Sequence, residues 1–319
     1  MPEQKQSNAA SILSVLGALI LWGSSFVAIK FAYTTYPPLT LAVVRFIVAT
    51  VILGGLTLLP KNRVKLQKKD IFTVAICGFT GIMLYAVLQN IAMQWTSASS
   101  ATLIIASYPI ITLLMESIIY KKKLSAIKIV AILIAIVGVV ILSYVKSESR
   151  VQGELLGIIL FIIAGIGWAV YNFMMKSVVN HYPPITLQFY TTLFGTVFLL
   201  PLLLFERTQW REPTVLSFSM MMFLGVFCSV VAYLLYNRGL KTMAPSTVTS
   251  MLNLMPIIGV FFSWVLLGEQ VTLRKIIGGA IVIFGVMLSV RKTKTDTATE
   301  TAQMPEPEET PVALPRQEG

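Results

Sequence analysis

The sequence predicts an all-α integral membrane protein of ten transmembrane helices, arranged as two inverted five-helix repeats. Three observations carry this reading. Hydrophobic residues make up 56% of the 319 positions and charged residues 12%, against roughly 25% charged in a soluble domain, so the apolar surface exceeds what a soluble core would hide. The charges fall in short runs between stretches of about the 20 apolar residues that a membrane helix needs, at residues 11–30, 39–59, 71–94, 98–120, 126–144, 154–177, 184–205, 215–239, 245–268 and 273–290. Finally, the string Trp22-Gly23-Ser24-Ser25-Phe26-Val27-Ala28-Ile29-Lys30 and the Tyr36-Pro37-Pro38 after it recur as Trp168 to Lys176 and Tyr182-Pro183-Pro184. The differences 168 − 22, 176 − 30 and 182 − 36 are all 146, the mark of an internal duplication.

Asn90 and Asn237, Pro109 and Pro256, and Gly138 and Gly285 are each 147 apart, so the second copy carries one inserted residue. Five spans per copy is an odd number, so the second copy enters the bilayer from the opposite side. The chain divides into a cytoplasmic segment at 1–10, a first repeat at 11–145, a second at 146–291 and a tail at 292–319. The first span is too long for a signal-peptide core and no cleavage pattern follows it, so it is expected to be retained. Lysines and arginines set the orientation. Lys61, Arg63, Lys65, Lys68 and Lys69, then Lys121 to Lys123, and Arg238 and Lys241 lie in loops on the N-terminal side. Opposite loops hold fewer, several diluted by Glu148, Glu206 and Glu212. Both termini are expected in the cytoplasm, in a multi-pass protein of the cell (inner) membrane. The tail is rich in Thr, Glu and Pro with almost no large apolar side chain, and is expected to be disordered.

A net charge of +11 raises the question of nucleic acid, but the basic residues alternate with apolar spans and form no continuous face. Cys77 and Cys228 sit in apolar segments without metal-ligand or redox spacing. His181, the one histidine, lies in a loop beside Tyr182-Pro183-Pro184 and reads as solvated. Phosphate-binding loops, nucleophile motifs and His/Asp/Glu clusters are missing. No catalytic residue, cofactor or metal is expected, and the partners are a small molecule and the lipid bilayer.

With those residues in hand, the chain resembles the EamA-type members of the drug/metabolite transporter superfamily. The resemblance rests on Trp22-Gly23-Ser24-Ser25-Phe26, Arg45, the mid-span Pro109 and Pro256, Leu267-Gly268-Glu269 and the glycines Gly278, Gly279 and Gly285. It implies a secondary transporter of small metabolites, often amino acids moving outward, with a path between the two halves. One departure stands out: the offset of 147 puts Lys121-Lys122 where the first copy should carry Gly-Glu. The alternative to a carrier is a channel or lipid translocator, or a membrane enzyme.

The candidate substrate contacts are the polar and aromatic residues of matched spans. Tyr85, Gln89 and Asn90 stand about one helical turn apart in the third span. In the eighth, Ser229, Tyr233 and Asn237 form a stripe at i, i+4 and i+8, with Tyr236 beside it. Trp22 and Trp168 lie too deep for interfacial anchors and are followed by Ser24 and Ser25, or by Tyr171 and Asn172. Each reads either as packing or as the aromatic wall of a cavity. Pro109 and Pro256 each leave a carbonyl one turn earlier without its donor, with Tyr108 and Asn253 adjacent; the pair reads as kink or hinge. Arg45 and Glu116 are the costly charges. Arg45 reads as a carboxylate ligand or as a cap or loop tie, and Glu116 as the one candidate for proton coupling. Lys30 and Lys176 end their spans as complements to the helix dipole. The fifth and tenth spans, rich in Gly and Ala, are assigned to scaffolding or dimer contacts.

Overall fold

The computed structural model describes residues 2–119, 121, 125–143, 154–206 and 211–289. The tail at 292–319, the repeat boundary at 145–146 and Lys122 lie outside the described residues. Among those residues the chain is helical throughout and contains no strand. The helices are α1 (Pro2–Ala32), α2 (Pro38–Thr57), α3 (Lys68–Trp95), α4 (Ala98–Ile119), α5 (Ala126–Ser143), α6 (Glu154–Val178), α7 (Pro184–Glu206), α8 (Val215–Thr242), α9 (Pro245–Leu267) and α10 (Leu273–Ser289). Eight of them are long and apolar enough to cross a membrane; α5 and α10 are not among the eight. The first helix begins earlier than the expected span because nothing in residues 2–10 breaks it, and a proline fits its first turn. Helices α2, α7 and α9 likewise carry proline within their first two positions after an extended residue.

Packing alternates between the two halves of the chain. Helix α1 lies against α8 and α9, α2 against α7 and α8, α3 against α6 and α7, and α5 against α10. The last pair crosses closely: a Cβ on Gly138 would stand 2.8 Å from Val282 N, and one on Gly285 would stand 2.8 Å from Ala131 O. Two backbones meet there because neither residue has a side chain, so α5 and α10 scaffold each other. Gly23 serves a similar purpose, since its Cβ would fall 2.6 Å from Ile258 of α9.

Several helix interiors depart from α geometry. A π-helical segment occupies Phe79–Leu84 in α3, and another Leu224–Val231 in α8. Helix α4 breaks at Ala106 and Ser107, just before Tyr108-Pro109, and α9 tightens to a 3-10 turn at Met251–Leu254, just before Pro256. The expected kinks are therefore present, each placed by a proline that lacks a donor.

Lys30 and Lys176 stand in the last turns of their own helices, but they bond to the carbonyls of a neighbouring helix end. Lys30 Nζ donates to Met93 O of α3 at 2.5 Å, and Lys176 Nζ donates to Leu240 O at 2.6 Å and Met243 O at 2.9 Å at the end of α8. The reason is geometric: carbonyls at a helix C-terminus lack donors, and a neighbouring helix end lies within reach of the long lysine stem. His181 is also not simply solvated, as its Nδ1 lies 3.4 Å from Asp70 Oδ2, where the start of α3 meets the α6–α7 loop.

Candidate functional site

Where α1, α3, α4, α6, α8 and α9 converge, they enclose a cavity of about 30 Å³, lined by Trp22, Ser25, Phe26, Arg45, Tyr85, Gln89, Ile105, Tyr108, Trp168, Tyr233, Leu252 and Met255. Three pairs are related by the sequence repeat: Trp22 and Trp168 (168 − 22 = 146), Ile105 and Leu252 (252 − 105 = 147), and Tyr108 and Met255 (255 − 108 = 147). The space admits a water molecule or two and nothing of metabolite size. Aromatic rings close it. Trp22 meets Trp168 edge-on with centroids 5.4 Å apart, Trp22 meets Tyr233 at 5.3 Å, and Tyr85 meets Trp168 at 5.2 Å. Such pairs are worth about 0.5–1.5 kcal/mol each beyond the area they bury.

The irregular backbone holds these rings. Trp22 Nε1 donates to Cys228 O at 2.9 Å, inside the π segment of α8, and Tyr233 Oη donates to Gly81 O at 2.8 Å, inside that of α3. A π turn shifts the helical register and leaves carbonyls for partners outside the helix. Ser229 shows the same register, with its Oγ donating to Leu224 O five residues back. Gly81 has no room for a side chain, because a Cβ would lie 2.2 Å from Tyr171. The third phenol, Tyr108, donates to Phe161 O of α6 at 2.8 Å, and Gly165 makes way for its ring.

Arg45 reaches this cavity from α2 and is 5% exposed. Its Nε donates to Ser229 Oγ at 3.0 Å and its guanidinium carbon stands 5.0 Å from the Phe46 ring centre, but Nη1 has no acceptor. The cap or loop tie expected from the sequence is replaced by this contact across helices. Burying a charge costs several kcal/mol, while the cation-π contact returns about 2 kcal/mol and one bond to a charged donor about 1.5–3 kcal/mol. These gains are of the same size as that cost, and Nη1 is left without an acceptor. The Trp168 indole N–H, beside the Tyr236 ring, also makes no hydrogen bond of normal geometry.

Of the sequence candidates, Trp22, Ser25, Arg45, Tyr85, Gln89, Tyr108, Trp168 and Tyr233 meet at this cavity. The others stand outside its lining. Tyr171 Oη donates to Asn237 Oδ1 at 2.8 Å, Tyr236 Oη donates to Asn172 Oδ1 at 2.9 Å, and Asn237 Nδ2 donates to Gln188 Oε1 at 2.9 Å. These phenol–amide pairs hold α6, α7 and α8 together behind the lining. Asn90 Nδ2 bonds back to Ala86 O and its carbonyl accepts from Tyr33 Oη, so the expected Gln89/Asn90 pairing splits into an inner and an outer residue. The Ser229-Tyr233-Asn237 stripe splits for a different reason: the π segment rotates Ser229 relative to the residues after it. Ser24 Oγ donates to Leu21 O within its own helix. Asn253 Oδ1 and Glu116 Oε2 are buried without a partner, away from the cavity lining. Met255 and Gln188 were not singled out by sequence, while Phe26 entered only as part of the Trp22 motif and Ile105 and Leu252 only as the residues whose carbonyls Pro109 and Pro256 leave without a donor. The apolar four look like any other span residue, and only their spacing from Trp22, Pro109 and Pro256 could have marked them.

The element that Lys121-Lys122 displaces is now visible in the second copy. Glu269 accepts from Ala98 N at 2.9 Å, Ser99 N at 3.2 Å and Ser99 Oγ, capping the start of α4, and Lys275 Nζ lies 3.7 Å from it. Burial pushes its carboxyl up, but the bonds from Ser99 and Ala98 and the Lys275 charge outweigh that, and its pKa lies below the usual carboxylate value. Glu206 does the equivalent at α2, accepting from Leu39 N at 3.1 Å, Thr40 N at 2.7 Å and Thr40 Oγ1 at 3.0 Å.

A bundle of apolar helices around a small aromatic cavity is the architecture of a membrane transport protein. The chain belongs to the EamA-like transporter family, whose profile matches residues 9–144 and again 155–291. Among relatives, it is 28% identical to an uncharacterized transporter, YetK, of Bacillus subtilis (strain 168), over 91% of this chain and 90% of that one. It is 26% identical to a probable terminal-alkyne amino-acid exporter of Streptantibioticus cattleyicolor, over 89% of this chain and 94% of the relative. One solved crystal structure superposes with a TM-score of 0.66 at 14% identity, covering 93% of this chain and all of the other, which speaks for the fold alone.

Proposed function

We propose that this protein is a secondary transporter of the cell membrane that moves a small metabolite, an amino acid or related compound, outward by alternating access. In this reading it has ten spans in two inverted five-helix repeats and both termini in the cytoplasm. The observation that carries the proposal is the closed cavity, built from repeat-related residues of both halves and too small to hold a substrate as it stands. Such a site must open to work, and paired π segments and proline breaks supply irregular backbone beside it. The packing supports the inverted arrangement: exchanging the halves turns α1 on α8 into α6 on α3, and α2 on α8 into α7 on α3, all of which are packed pairs. The amino-acid class rests on the family resemblance and on the exporter named among the relatives.

Purified protein in liposomes should support saturable counterflow of a radiolabelled amino acid; flux that rises linearly with concentration and shows no exchange would sink the carrier reading. Glu116 is the proposed proton carrier, a role its unpartnered Oε2 supports. Initial rates that ignore an imposed pH gradient would remove it from that role.

A further inference from the structure

Every hydroxyl and indole donor that lines the cavity with a bond to its surroundings is already directed at a protein acceptor: Ser25 at Trp22 O, Trp22 at Cys228 O, Tyr108 at Phe161 O and Tyr233 at Gly81 O. Of the buried donors in the lining, Arg45 Nη1 has no acceptor, and Tyr85 and Gln89 add a phenol and a neutral amide. No aspartate or glutamate belongs to the lining. Glu206, on the far side of the first turn of α2, has both oxygens engaged by Leu39 and Thr40. The lining therefore carries one positive charge, the Arg45 guanidinium, and no carboxylate to answer it.

This decides what the cargo must bring. A carboxylate on Arg45 would fill the open guanidinium donor and cancel the buried charge together. An ammonium group would gain from the ring faces but would find no carboxylate, and would share a medium of low polarity with the like charge of Arg45. From this we infer that the cavity is an organic-anion site: it selects its substrate by a carboxylate held at Arg45 and does not require an amino group. The preferred class is a small monocarboxylate with an apolar or aromatic body, lodged against the Trp22 and Trp168 rings. Amino acids are accommodated through their carboxylate, and their 2-oxo and deamino counterparts bind at least as well. The inference rests on the transport reading only in taking this cavity for the substrate site.

The test uses one phenyl body with four head groups: phenylalanine, phenylpyruvate, 3-phenylpropionate and phenethylamine. Binding to the purified full-length protein is read as a thermal-unfolding shift through tryptophan fluorescence, and counterflow is read separately in liposomes. The three carboxylates should raise the unfolding temperature, with phenylpyruvate and 3-phenylpropionate matching or exceeding phenylalanine, and phenethylamine should give no shift. Arg45→Gln should weaken carboxylate binding at least tenfold, and Arg45→Lys should recover part of the loss. Arg45→Gln should also unfold no earlier than the wild type, because it removes a buried charge whose Nη1 has no acceptor, and this separates lost binding from lost folding. A shift with phenethylamine, a requirement for the amino group, unchanged affinity in Arg45→Gln, or no shift with any carboxylate overturns the inference. Carboxylate binding without exchange in liposomes leaves the anion site standing and removes the carrier reading instead; exchange that ignores the carboxylate does the reverse.

Discussion

At the scale of single residues, the two copies disagree where backbone geometry is demanding. Gly268 ends α9 with φ of 64°, and its repeat counterpart Lys121 (268 − 147) holds φ of 51° at the end of α4. A left-handed residue with a side chain costs roughly 1–2 kcal/mol, and glycine does not bear that cost. Lys121→Gly should therefore raise the unfolding temperature, by about 1 kcal/mol of stability, in a scan of the purified protein. An unchanged or lower value would mean that the lysine side chain has a compensating role. Glu269 allows a pH argument. Its folded pKa lies below the ordinary carboxylate value, so the stability it lends is full above the unfolded value and is lost as pH falls through the folded one. Wild type should thus lose stability between neutral and acidic pH more steeply than Glu269→Gln. At neutral pH that variant should be weaker by about 1–2 kcal/mol, the usual worth of a helix N-cap. Parallel pH curves for the two proteins would contradict this.

At the scale of helices, apolar length and proline position were legible in the sequence because they act locally. A run of about 20 apolar residues has few alternatives in a bilayer, and a proline disrupts its helix whatever surrounds it. The repeat likewise put Trp22 and Trp168 at equivalent depths of the two copies. The π segments were not legible, since Phe79–Leu84 and Leu224–Val231 contain no residue that forbids an ordinary α turn. Their register is set by tertiary partners, Tyr233 on Gly81 O and Trp22 on Cys228 O. The same limit explains Asn90 and Asn237, whose spacing matched a lining but whose amides bond elsewhere, Asn90 Nδ2 to Ala86 O of its own helix and Asn237 to Tyr171 and Gln188. Close crossings are a further helix-scale feature. Replacing Gly138 by Val would drive its Cβ against Val282 N and Gly278 O, both backbone atoms that cannot swing aside. Overpacking of this kind costs about 1–3 kcal/mol. Gly138→Val should lower the unfolding temperature, whereas the same change at Gly55, which has nothing within 4 Å of a Cβ, should leave it nearly unchanged.

At the scale of the whole molecule, the duplication produces two matching loop contacts, which in the proposed carrier latch one mouth each, and they differ in strength. At one mouth Ser217 Oγ donates to Thr35 Oγ1 at 3.0 Å, joining the start of α8 to the α1–α2 loop. At the other, Tyr182 Oη donates to Asp70 Oδ2 at 2.6 Å, with His181 alongside, joining the start of α3 to the α6–α7 loop. The positions correspond: 217 − 70 is 147, 181 − 35 is 146. A bond to a charged group is worth about 1.5–3 kcal/mol and a neutral one about 0.5–1.5 kcal/mol. Burial and the bond to Asp70 both hold the Tyr182 phenol above its ordinary pKa, so this latch keeps its proton through the physiological range. If the halves rock about the central cavity, weakening either latch should favour opening on its own side. We therefore predict that Asp70→Asn, which loses about 1 kcal/mol by the difference between those ranges, shifts the balance toward opening at the Asp70 mouth by roughly fivefold. Ser217→Ala should shift it the other way, and the double variant should lie between. A single cysteine at Gln89, in a background lacking Cys77 and Cys228, reports on the cavity when an impermeant maleimide is applied to one face of oriented vesicles. Labelling from the Asp70 side should speed up in Asp70→Asn while labelling from the Ser217 side slows. Acceleration on both sides together would mean that the mouths open independently, and the bundle would then be a pore with two doors rather than a rocking carrier.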